Sequence, residues 1–327
     1  RTPEEVKAFI DLHKVDCMIK DPDGGGGKSL KVIKKEASIE EIKKEMKSSR
    51  DEARQAFGSR PEGNYPLKIE QYIEGAKHIE AQIVADEYGT VQVWGLRDCS
   101  LQKQFQKLLE ATYNGPFAKE IKEKSKKLAE NMGIKGICTF EFFLTPEGKL
   151  VPIETNWRKQ VEHSVTDEEI PLQGLQIAKG EKLLPRDESD DGTFKIHLRL
   201  PSVTDKGEAI GVLPPGVATT LGSTPGVTVM VPPNGFGGLD KQQGYMLSTG
   251  KDEQECLKLL RAQVESMTSP TVNRRYLLTL LDFVEREGLD NISTTTKMEI
   301  DSTLSISPSI HESGKKAARF VADFISG

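Results

Sequence analysis

The feature that most constrains the fold is a hairpin pattern near the middle of the chain. Residues 137–144 and 149–156 both alternate between apolar and polar side chains. Such alternation is typical of strands with one face in a core and the other face outside it. The segment between them, Thr145-Pro146-Glu147-Gly148, contains residues that tight turns favour. The sequence therefore predicts two antiparallel strands joined by a short turn.

The second of these strands leads into a run in which every second residue is polar. The run contains Glu154, Asn156, Arg158, Gln160 and Glu162. In an extended strand all five side chains would lie on one face. If the hairpin closes on the two central turn residues, Thr139 pairs with Glu154, and Glu141 lies diagonally beside Glu154.

Two neighbouring carboxylates suggest a cation site. Ionised carboxylates at that distance repel each other unless a cation lies between them. Oxygen ligands of this kind, with Asn156 beside them, suit Mg²⁺ that bridges nucleotide phosphates. The planar guanidinium of Arg158 is suited to a small planar anion. An ordinary surface strand would show the same pattern, so that alternative stays open.

A loop of four glycines, Gly24 to Gly27, lies between Lys20 and Lys28. Backbone N–H groups of glycine approach an anion closely because no Cβ is in the way. Phosphate binding is one interpretation of the loop, and a flexible hairpin tip is the other. The loop is not a Walker A motif, since its Gly-Lys-Ser lacks the earlier Gly at the required spacing.

The rest of the chain predicts a mixture of strands and helices. Further strands are predicted at residues 15–20, 30–33, 67–72, 78–86, 91–94 and 194–200, and helices at 38–57, 120–132, 172–180, 252–267 and 272–287. Ser38 and Glu41 have the spacing of a capping box at the first of these helices. The Ser/Thr-rich residues 294–313 predict a linker, followed by an amphipathic helix at about 315–325.

A stretch rich in hydrogen-bond donors, residues 97–107, has little periodicity of either kind. Taken alone, such a stretch is typical of a solvated surface. Cys99 within it is more often a small buried residue than a nucleophile. His163, next to Glu162, is a candidate base, but a lone histidine is more often hydrogen-bonded within the structure.

Composition excludes several classes of protein. The chain has 327 residues, which suggests about two domains. Lys and Arg total 45 against 50 Asp and Glu, so the net charge of −5 supplies no positive field for nucleic acid. No apolar run is long enough to span a membrane. The four cysteines show no CxxC spacing and indicate reduced thiols in a cytoplasmic compartment. Because the chain begins with Arg1 and has no signal peptide, we expect it to begin inside a longer protein.

Several motifs follow one another in an order that resembles a known family. They are Lys20 with the Gly loop, Glu70-Gln71-Tyr72-Ile73, Lys77 to Gln82, Arg97 to Ser100, Gln106-Lys107, Thr139 to Phe142 and Glu154 to His163. From about residue 15 to 292 the sequence resembles the biotin carboxylase component of biotin-dependent carboxylases, an ATP-grasp enzyme. The Gln-Val-Glu-His run after Glu-x-Asn-x-Arg is specific to this family among ATP-grasp ligases.

The resemblance implies an α+β ATP-grasp fold with a small lid domain and a larger antiparallel-sheet domain. Residues 1–72 would form the lid. Residues 73–293 would form the main ATP-grasp and biotin carboxylase C-terminal domain, and 294–327 a linker and C-terminal helix. The N-terminal pre-ATP-grasp domain of the family is absent from the chain.

The resemblance also implies roles for individual residues. ATP would be bound by Lys20, Gly26, Gly27, Glu70, Gln71, Tyr72, Ile73, His78, Gln102, Glu141 and Glu154. Mg²⁺ or Mn²⁺ would be held by Glu141, Glu154 and Asn156, and bicarbonate by Lys107, Arg158, Gln160 and Val161. Glu162 would be the base that takes the bicarbonate proton, and Arg199 would stabilise the biotin enolate. Lys107 and Arg158 would complete the catalytic set.

The reaction implied is ATP-dependent carboxylation of biotin on a carrier protein, through carboxyphosphate. The expected partners are that carrier, a carboxyltransferase and a second copy of the chain or a larger complex, with no nucleic acid and no membrane. The expected location is the cytoplasm or an organelle matrix.

The sequence departs from the family pattern at several positions, and two alternatives stay open, the first of them favoured by Phe105 and Ser29. Phe105 replaces a histidine that contacts ATP, Ser29 replaces the glycine that closes the Gly loop, and Lys159 occupies a usually apolar position. The first alternative is a catalytically impaired, structural or regulatory carboxylase-like subunit. The second is an ATP-grasp ligase with another acceptor.

Overall fold

The computed structural model of the protein describes residues 2–22, 27, 29–58, 66–103, 105–186, 192–201, 222–231, 242–268 and 273–296. Gly26 of the Gly loop lies outside the described residues, as do the predicted C-terminal helix and the predicted linker beyond Thr296.

The first part of the chain forms a three-stranded antiparallel sheet covered by two helices. Its elements are α1 (Pro3–His13), β1 (Cys17–Lys20), β2 (Lys31–Ile33), α2 (Ile39–Phe57) and β3 (Lys68–Gln71), with strand order β2-β1-β3. Val6 and Ile10 of α1 pack with Ile42 and Met46 of α2 over Ile19 of β1.

Capping boxes begin both helices of this small domain. The box of Ser38 and Glu41 at α2 is confirmed. Thr2 and Glu5 form a second box at α1, a helix that the pattern analysis missed although Thr2-Pro3-Glu4-Glu5 has the required spacing.

The larger part of the chain is built on an eight-stranded antiparallel sheet. Its strands are β4 (Lys77–Ala85), β5 (Val91–Lys103), β6 (Gln106–Thr112), β7 (Gly136–Leu144), β8 (Leu150–Asn156), β9 (Phe194–Pro201), β10 (Val227–Met230) and β11 (Gln242–Gly250). Their order in the sheet is β10-β11-β9-β6-β5-β4-β7-β8. The helices are α3 (Ala118–Met132), α4 (Ile170–Ala178), α5 (Glu253–Ser266) and α6 (Arg274–Glu287), with short 3₁₀ helices at Val161–Val165 and Leu289–Asn291.

Opposite faces of this sheet have different coverings. On one face, the odd-numbered apolar residues of β4 pack with β7 and α3. On the other face, α4 covers only the end of β4 near Val84 and Trp94. Farther along the first face, the one that α3 covers, α5 and α6 cover β6, β9 and β11. The face that α4 leaves open carries the polar side chains of β4, His78, Glu80 and Gln82.

The predicted hairpin is present, but its predicted register was wrong by two residues. Glu141 lies directly opposite Glu154, and Thr139 lies opposite Asn156. The turn has three residues between Thr145 and Lys149 and uses a positive φ of 79° at Gly148, which shifts the pairing by one. A bulge at Ile153 of β8, opposite the step from Glu141 to Phe142, shifts it by one more.

The donor-rich stretch 97–107 is not a solvated surface, so that interpretation was wrong. It continues β5 to Lys103 and turns at Phe105 into β6. Arg97 is fully buried, as is Cys99. The prediction of a surface failed because these polar side chains form hydrogen bonds with residues of neighbouring strands. Periodicity along the sequence carries no information about such contacts.

The link between the two sheets, residues 72–76, is bound to the end of the described chain. The backbone N–H and hydroxyl of Thr294 both donate to the Ala76 carbonyl, and the Gly75 N–H donates to the hydroxyl of Thr295. The predicted linker at 294 therefore begins with residues that are held in place. None of the described helices combines the length and the apolar character needed to cross a membrane.

Candidate active site

Three acidic side chains and one arginine form a row across four adjacent strands on the open face. Glu154 of β8 is opposite Glu141 of β7, which is opposite Glu80 of β4, which is opposite Arg97 of β5. Neighbouring strands are about 4.8 Å apart, so three carboxylates occupy successive positions at that spacing. Like charges placed this way are destabilising unless something compensates them. The two ends of the row are compensated differently.

At the β8 end, polar neutral groups surround the carboxylates. The Asn156 amide nitrogen donates to Glu141 Oε1 at 2.6 Å and to Glu154 Oε1 at 3.0 Å. Gln160 Nε2 donates to the same oxygen of Glu141 at 3.1 Å, and His78 Nε2 donates to the other at 2.7 Å. These contacts confirm that Glu141, Glu154 and Asn156 are neighbours, as the sequence predicted.

The imidazole of His78 is fixed by both ring nitrogens. Gln102 Nε2 donates to His78 Nδ1 at 2.8 Å and also to the Cys99 carbonyl at 2.8 Å. Both ring nitrogens of His78 are therefore engaged, one by Gln102 and the other by Glu141, and these contacts fix the orientation of the ring.

The donor set at this end fits a divalent cation. Among the described residues, no Lys or Arg nitrogen lies within 4.0 Å of the Glu141 or Glu154 carboxylate. Carboxylate oxygens together with an Asn amide oxygen are the ligands that Mg²⁺ and Mn²⁺ prefer. Rotating the Asn156 amide by half a turn places its oxygen where the nitrogen now meets both carboxylates. The imidazole of His78 and the Glu80 carboxylate lie close enough to join Glu141 around one ion.

At the other end of the row, the carboxylates are compensated by cations, of which Arg97 is fully buried and Lys107 and Arg199 are part-buried. Glu80 accepts from Arg97 Nη2 at 2.8 Å and from Arg97 Nε at 3.1 Å, and it also forms an ion pair with Lys107. Lys107 Nζ donates to Glu162 Oε1 at 2.6 Å. Arg199 Nη2 donates to the other oxygen of Glu162 at 3.3 Å. We call Glu80, Arg97, Lys107, Glu162 and Arg199 the ion network.

Charges within the ion network override the effect of burial on the pKa values. Burial alone would raise the pKa of Glu80, but Lys107 and Arg97 outweigh it and lower that pKa to about 2. The pKa of Glu162 is likewise held well below its usual range by Lys107 and Arg199 against the effect of burial. Burial alone would lower the pKa of Lys107, but Glu162 and Glu80 raise it well above its usual range. All of these groups are therefore charged at neutral pH.

The predicted strand 149–156 ends at Asn156, as expected, so Arg158, Gln160 and Glu162 do not continue it and the one-face arrangement of an extended strand does not form. The Arg158 N–H donates to the Asn156 carbonyl, and Val161 begins a 3₁₀ helix. β8 is the edge strand of the sheet, so no further strand pairs with residues beyond Asn156 and holds them extended.

The turn nevertheless brings these side chains back to the row. Arg158 Nη1 donates to Gln160 Oε1 at 2.7 Å, and Gln160 in turn reaches Glu141. Glu162 is buried in the ion network, whereas the side chain of Val161 is exposed. His163 donates from Nδ1 to the Gln160 carbonyl, and both burial and the nearby Lys159 lower its pKa.

The small domain contributes the remaining predicted nucleotide residues. Lys20 Nζ forms a 2.6 Å ion pair with Glu70 across β1 and β3, and Lys68 pairs with the other oxygen of Glu70. Tyr72 and Ile73 follow β3 in the link to the large sheet. Gln71 is the last residue of β3.

Gly27 brings the Gly loop against the β5–β6 turn. Its φ is +70°, and a Cβ at this position would lie 2.3 Å from the Phe105 carbonyl oxygen and 2.8 Å from Gln106 Nε2. Only glycine fits such an approach. Ser29 also has a positive φ, +64°, so the chain keeps a glycine-like backbone there with a serine.

Comparison with known proteins places this arrangement in a family. Residues 1–185 match the family described as "Carbamoyl-phosphate synthase L chain, ATP binding domain", which is more than half of the chain. The chain belongs to this family.

Relatives within the family include biotin-dependent carboxylases. The chain is 40% identical over 192 residues to the biotin-dependent acyl-coenzyme A carboxylase alpha3 subunit of Mycobacterium leprae, covering 56% of the chain and 31% of the relative. It is 35% identical over 215 residues to a biotin carboxylase of a Nostoc species, covering 61% and 46%. The chain thus spans less than half the length of these curated relatives. The predicted resemblance to biotin carboxylases is confirmed.

Solved structures of the family confirm the ATP-grasp fold. A biotin carboxylase domain from Hydrogenobacter thermophilus, in complex with MgADP, ADP and bicarbonate, matches with a TM-score of 0.73 and 26% identity, over 89% of this chain and 66% of that chain. A biotin carboxylase from Campylobacter jejuni has the same fold, with a TM-score of 0.72, 22% identity, and coverage of 90% and 67%.

Four residues of the site received no role from the sequence. Glu80, Arg97, Glu110 and His197 are all fully buried and charged or titratable. The signal was present for Glu80 and His197, because each lies among alternating apolar residues that the structure places in a core. Their hydrogen-bond partners lie on other strands, so spacing along the chain could not identify them.

Proposed function

We propose that this chain carries out ATP- and bicarbonate-dependent carboxylation of biotin on a carrier protein. The observation that carries the proposal is one continuous row of side chains. An oxygen-rich cluster of Glu141, Glu154 and Asn156, with no Lys or Arg partner within the described part of the chain, is joined through Glu80 to the ion network. The first suits a metal–nucleotide complex, and the second suits a small anion and its proton.

Nucleotide would bind between the small domain and the large sheet. Its proposed contacts are Lys20, Gly26, Gly27, Glu70, Gln71, Tyr72, Ile73, His78, Gln102, Glu141 and Glu154. Support comes from the approach of Gly27 to Phe105, which brings the glycine backbone to the large sheet. Mg²⁺ held by Glu141, Glu154 and Asn156 would neutralise charge on the phosphates during phosphoryl transfer. Glu70 would have to share Lys20 with the phosphates, since the two side chains are paired.

Bicarbonate would bind beside the ion network. Lys107 and Arg158 supply positive charge, and Gln160 and the Val161 backbone supply neutral contacts. Glu162 would accept the bicarbonate proton, after which the anion attacks the γ-phosphorus of ATP and gives carboxyphosphate and ADP. The low pKa of Glu162 keeps it ionised and able to accept, and it depends on Lys107. A bicarbonate that takes over the Lys107 contact would make Glu162 a stronger base.

The second half-reaction would use Arg199. Carboxyphosphate would break down to CO₂ and inorganic phosphate, the phosphate would take the N1′ proton of biotin, and N1′ would attack the CO₂. The guanidinium of Arg199, charged and close to Glu162, would stabilise the enolate oxygen of biotin. We propose a biotin carrier, a carboxyltransferase and a second copy of the chain as partners, and the cytoplasm or an organelle matrix as the location.

Bicarbonate-dependent ADP release by the purified protein, with Mg²⁺ and with or without free biotin, tests the proposal. We expect release that requires bicarbonate and rises with biotin. Release that biotin does not change, with intact Mg-ATP binding, would point to another acceptor. Absence of both turnover and nucleotide binding would contradict the proposal and favour a non-catalytic role.

A further inference from the structure

Glu110 is a fully buried carboxylate beneath the ion network, and no substrate contact is proposed for it. Its Oε1 accepts from Arg199 Nε at 2.5 Å, and its Oε2 accepts from His197 Nδ1 at 2.7 Å. Both carboxylate oxygens are therefore engaged by residues of β9. We infer that Glu110 is the positioning residue that orients Arg199, an inference that rests on the proposed function.

The strand pairing explains why these three residues meet. Glu110 of β6 is directly opposite His197 of β9, and Arg199 follows two residues later on the same face. The intervening residue, Leu198, points to the core with 0% exposure. Backbone register thus fixes the Glu110 carboxylate against the base of the Arg199 side chain.

A bulge in β6 places Glu110 on the same face as Lys107. Three residues apart, the two would face opposite ways in a regular strand. The register between β5 and β6 slips around Leu108, and both Leu108 and Leu109 enter the apolar core. The bulge therefore interrupts the alternation of side chains between the two faces of the sheet once. As a result, Lys107 and Glu110 both point toward Glu162 and Arg199.

The two carboxylates around Arg199 restrain its guanidinium in different ways. Glu110 holds Nε, next to the aliphatic stem, while Glu162 meets Nη2 at the far end at 3.3 Å. A planar group bound at two edges cannot rotate about its long axis without breaking a charged hydrogen bond. Of the two hydrogen bonds of Arg199, the one to Glu110 is shorter, so Glu110 sets the orientation of the guanidinium. Glu162, with the longer hydrogen bond, can exchange Arg199 for another partner.

His197 holds the positioning carboxylate itself in place. Because an ionised carboxylate only accepts, His197 Nδ1 carries the proton. The ring lies against Tyr245, with 4.4 Å between the ring centroids, and is fully buried. His197 Nε2 has no hydrogen-bond partner among the described residues, so the ring's only polar contact there is to Glu110. A ring packed and bonded in this way fixes Oε2 and leaves Oε1 for Arg199.

The test compares Glu110→Gln and Glu110→Asp in the purified natural protein. Bicarbonate-dependent ADP release without biotin is measured beside biotin-stimulated release. We expect both variants to lose biotin stimulation by about tenfold to a hundredfold, the range usual for groups that orient a catalytic side chain without touching substrate. Biotin-independent release and the KM for ATP should remain near wild type. Glu253→Gln, which alters a carboxylate bound to the Leu289 N–H, is the matched control and should change neither activity.

The aspartate variant distinguishes positioning from simple charge neutralisation. Asp keeps the negative charge but is one methylene shorter and cannot hold Nε. If Glu110→Asp behaved as wild type while Glu110→Gln did not, charge alone would be sufficient and the inference would be wrong. Equal loss of both activities would show a structural role and would also overturn it.

An Arg199→Lys background completes the test. If Glu110 acts through Arg199, Glu110→Gln should cause no further loss there, whereas a further loss of the same size would contradict the inference. Lack of biotin stimulation in the wild type is a separate outcome. It would contradict the proposed function and, with it, the role assigned to Arg199.

Discussion

The two ends of the acidic row differ in how their charge is compensated. At the ion-network end, Glu80 and Glu162 are fully buried and each is bound by two cations. At the β8 end, no Lys or Arg nitrogen of the described residues lies within 4.0 Å of Glu141 or Glu154, and Glu154 is exposed. A cluster whose charges balance each other stabilises the folded state without a ligand. An acidic cluster without balancing charges is stabilised most when it binds a cation. The difference separates residues that stabilise the folded site from residues that we propose bind the ligand.

Removing the proposed base should have the largest effect on activity. We expect Glu162→Gln to lower bicarbonate-dependent ADP release about 100-fold to 10,000-fold, since a positioned base contributes that much. Mg-ATP binding, measured by calorimetry, should stay close to wild type because Glu162 lies away from the β8 end. Glu169→Gln, an exposed neighbour without a side-chain capping bond, is the control. If nucleotide binding fell together with turnover, the base assignment would be wrong.

Breaking the ion network should have the largest effect on stability. Glu80→Ala removes the carboxylate partner of the fully buried Arg97 and leaves Lys107 paired with Glu162 alone. We expect a loss of about 3 to 5 kcal/mol in the free energy of unfolding in urea. Glu154→Ala, in the same row but exposed, should change that free energy by less than about 0.5 kcal/mol. Equal losses would remove the distinction between the two ends.

The same pair predicts the acid dependence of stability. The pKa of Glu80 is about 2 in the folded protein and near 4.5 when unfolded, so its contribution is complete above pH 4.5 and is lost as the pH falls toward 2. The Glu80→Gln variant should therefore show a shallower decline of unfolding free energy between those values. An unchanged slope would mean that Glu80 is not held ionised by Lys107.

A smaller effect is expected in the small domain. Ser29 has a φ of +64° and a buried hydroxyl without a partner among the described residues. Glycine adopts this backbone without the steric cost, so Ser29→Gly should stabilise the protein by about 1 kcal/mol. Lys14→Gly, at another positive φ in this domain, is the matched variant and should also stabilise. Destabilisation by Ser29→Gly, measured as a lower unfolding midpoint, would show that the serine makes a compensating contact.

Local pattern predicted the elements better than their pairing. The alternation at residues 137–156 correctly indicated a hairpin that brings Glu141 close to Glu154 and Asn156. The register was wrong because a bulge and a positive-φ turn residue each move it by one, and neither leaves a periodic signal. The spacing of residues 154–162 likewise suggested one long strand where a 3₁₀ helix returns Glu162 to the site.

Contacts between distant strands were beyond the sequence patterns. Glu110 and His197 are 87 residues apart and meet only because β6 pairs with β9. Charged residues give the same sequence pattern whether a strand is buried or exposed to solvent. For this reason the sequence placed Arg97, which is fully buried, on the surface. The family resemblance identified residues that we propose contact ligands, whereas the supporting residues Glu80 and Glu110 became apparent only from the structure.

The measurement that tests the central claim most directly is Mg²⁺-dependent ATP binding by wild type and Glu154→Ala, each with its urea unfolding midpoint. The account predicts that the variant loses Mg²⁺-dependent affinity while its unfolding midpoint stays that of wild type. Unchanged affinity would contradict the metal role of the β8 end. Loss of affinity together with a large drop in the midpoint would show that Glu154 is structural and that the two ends of the row do not differ.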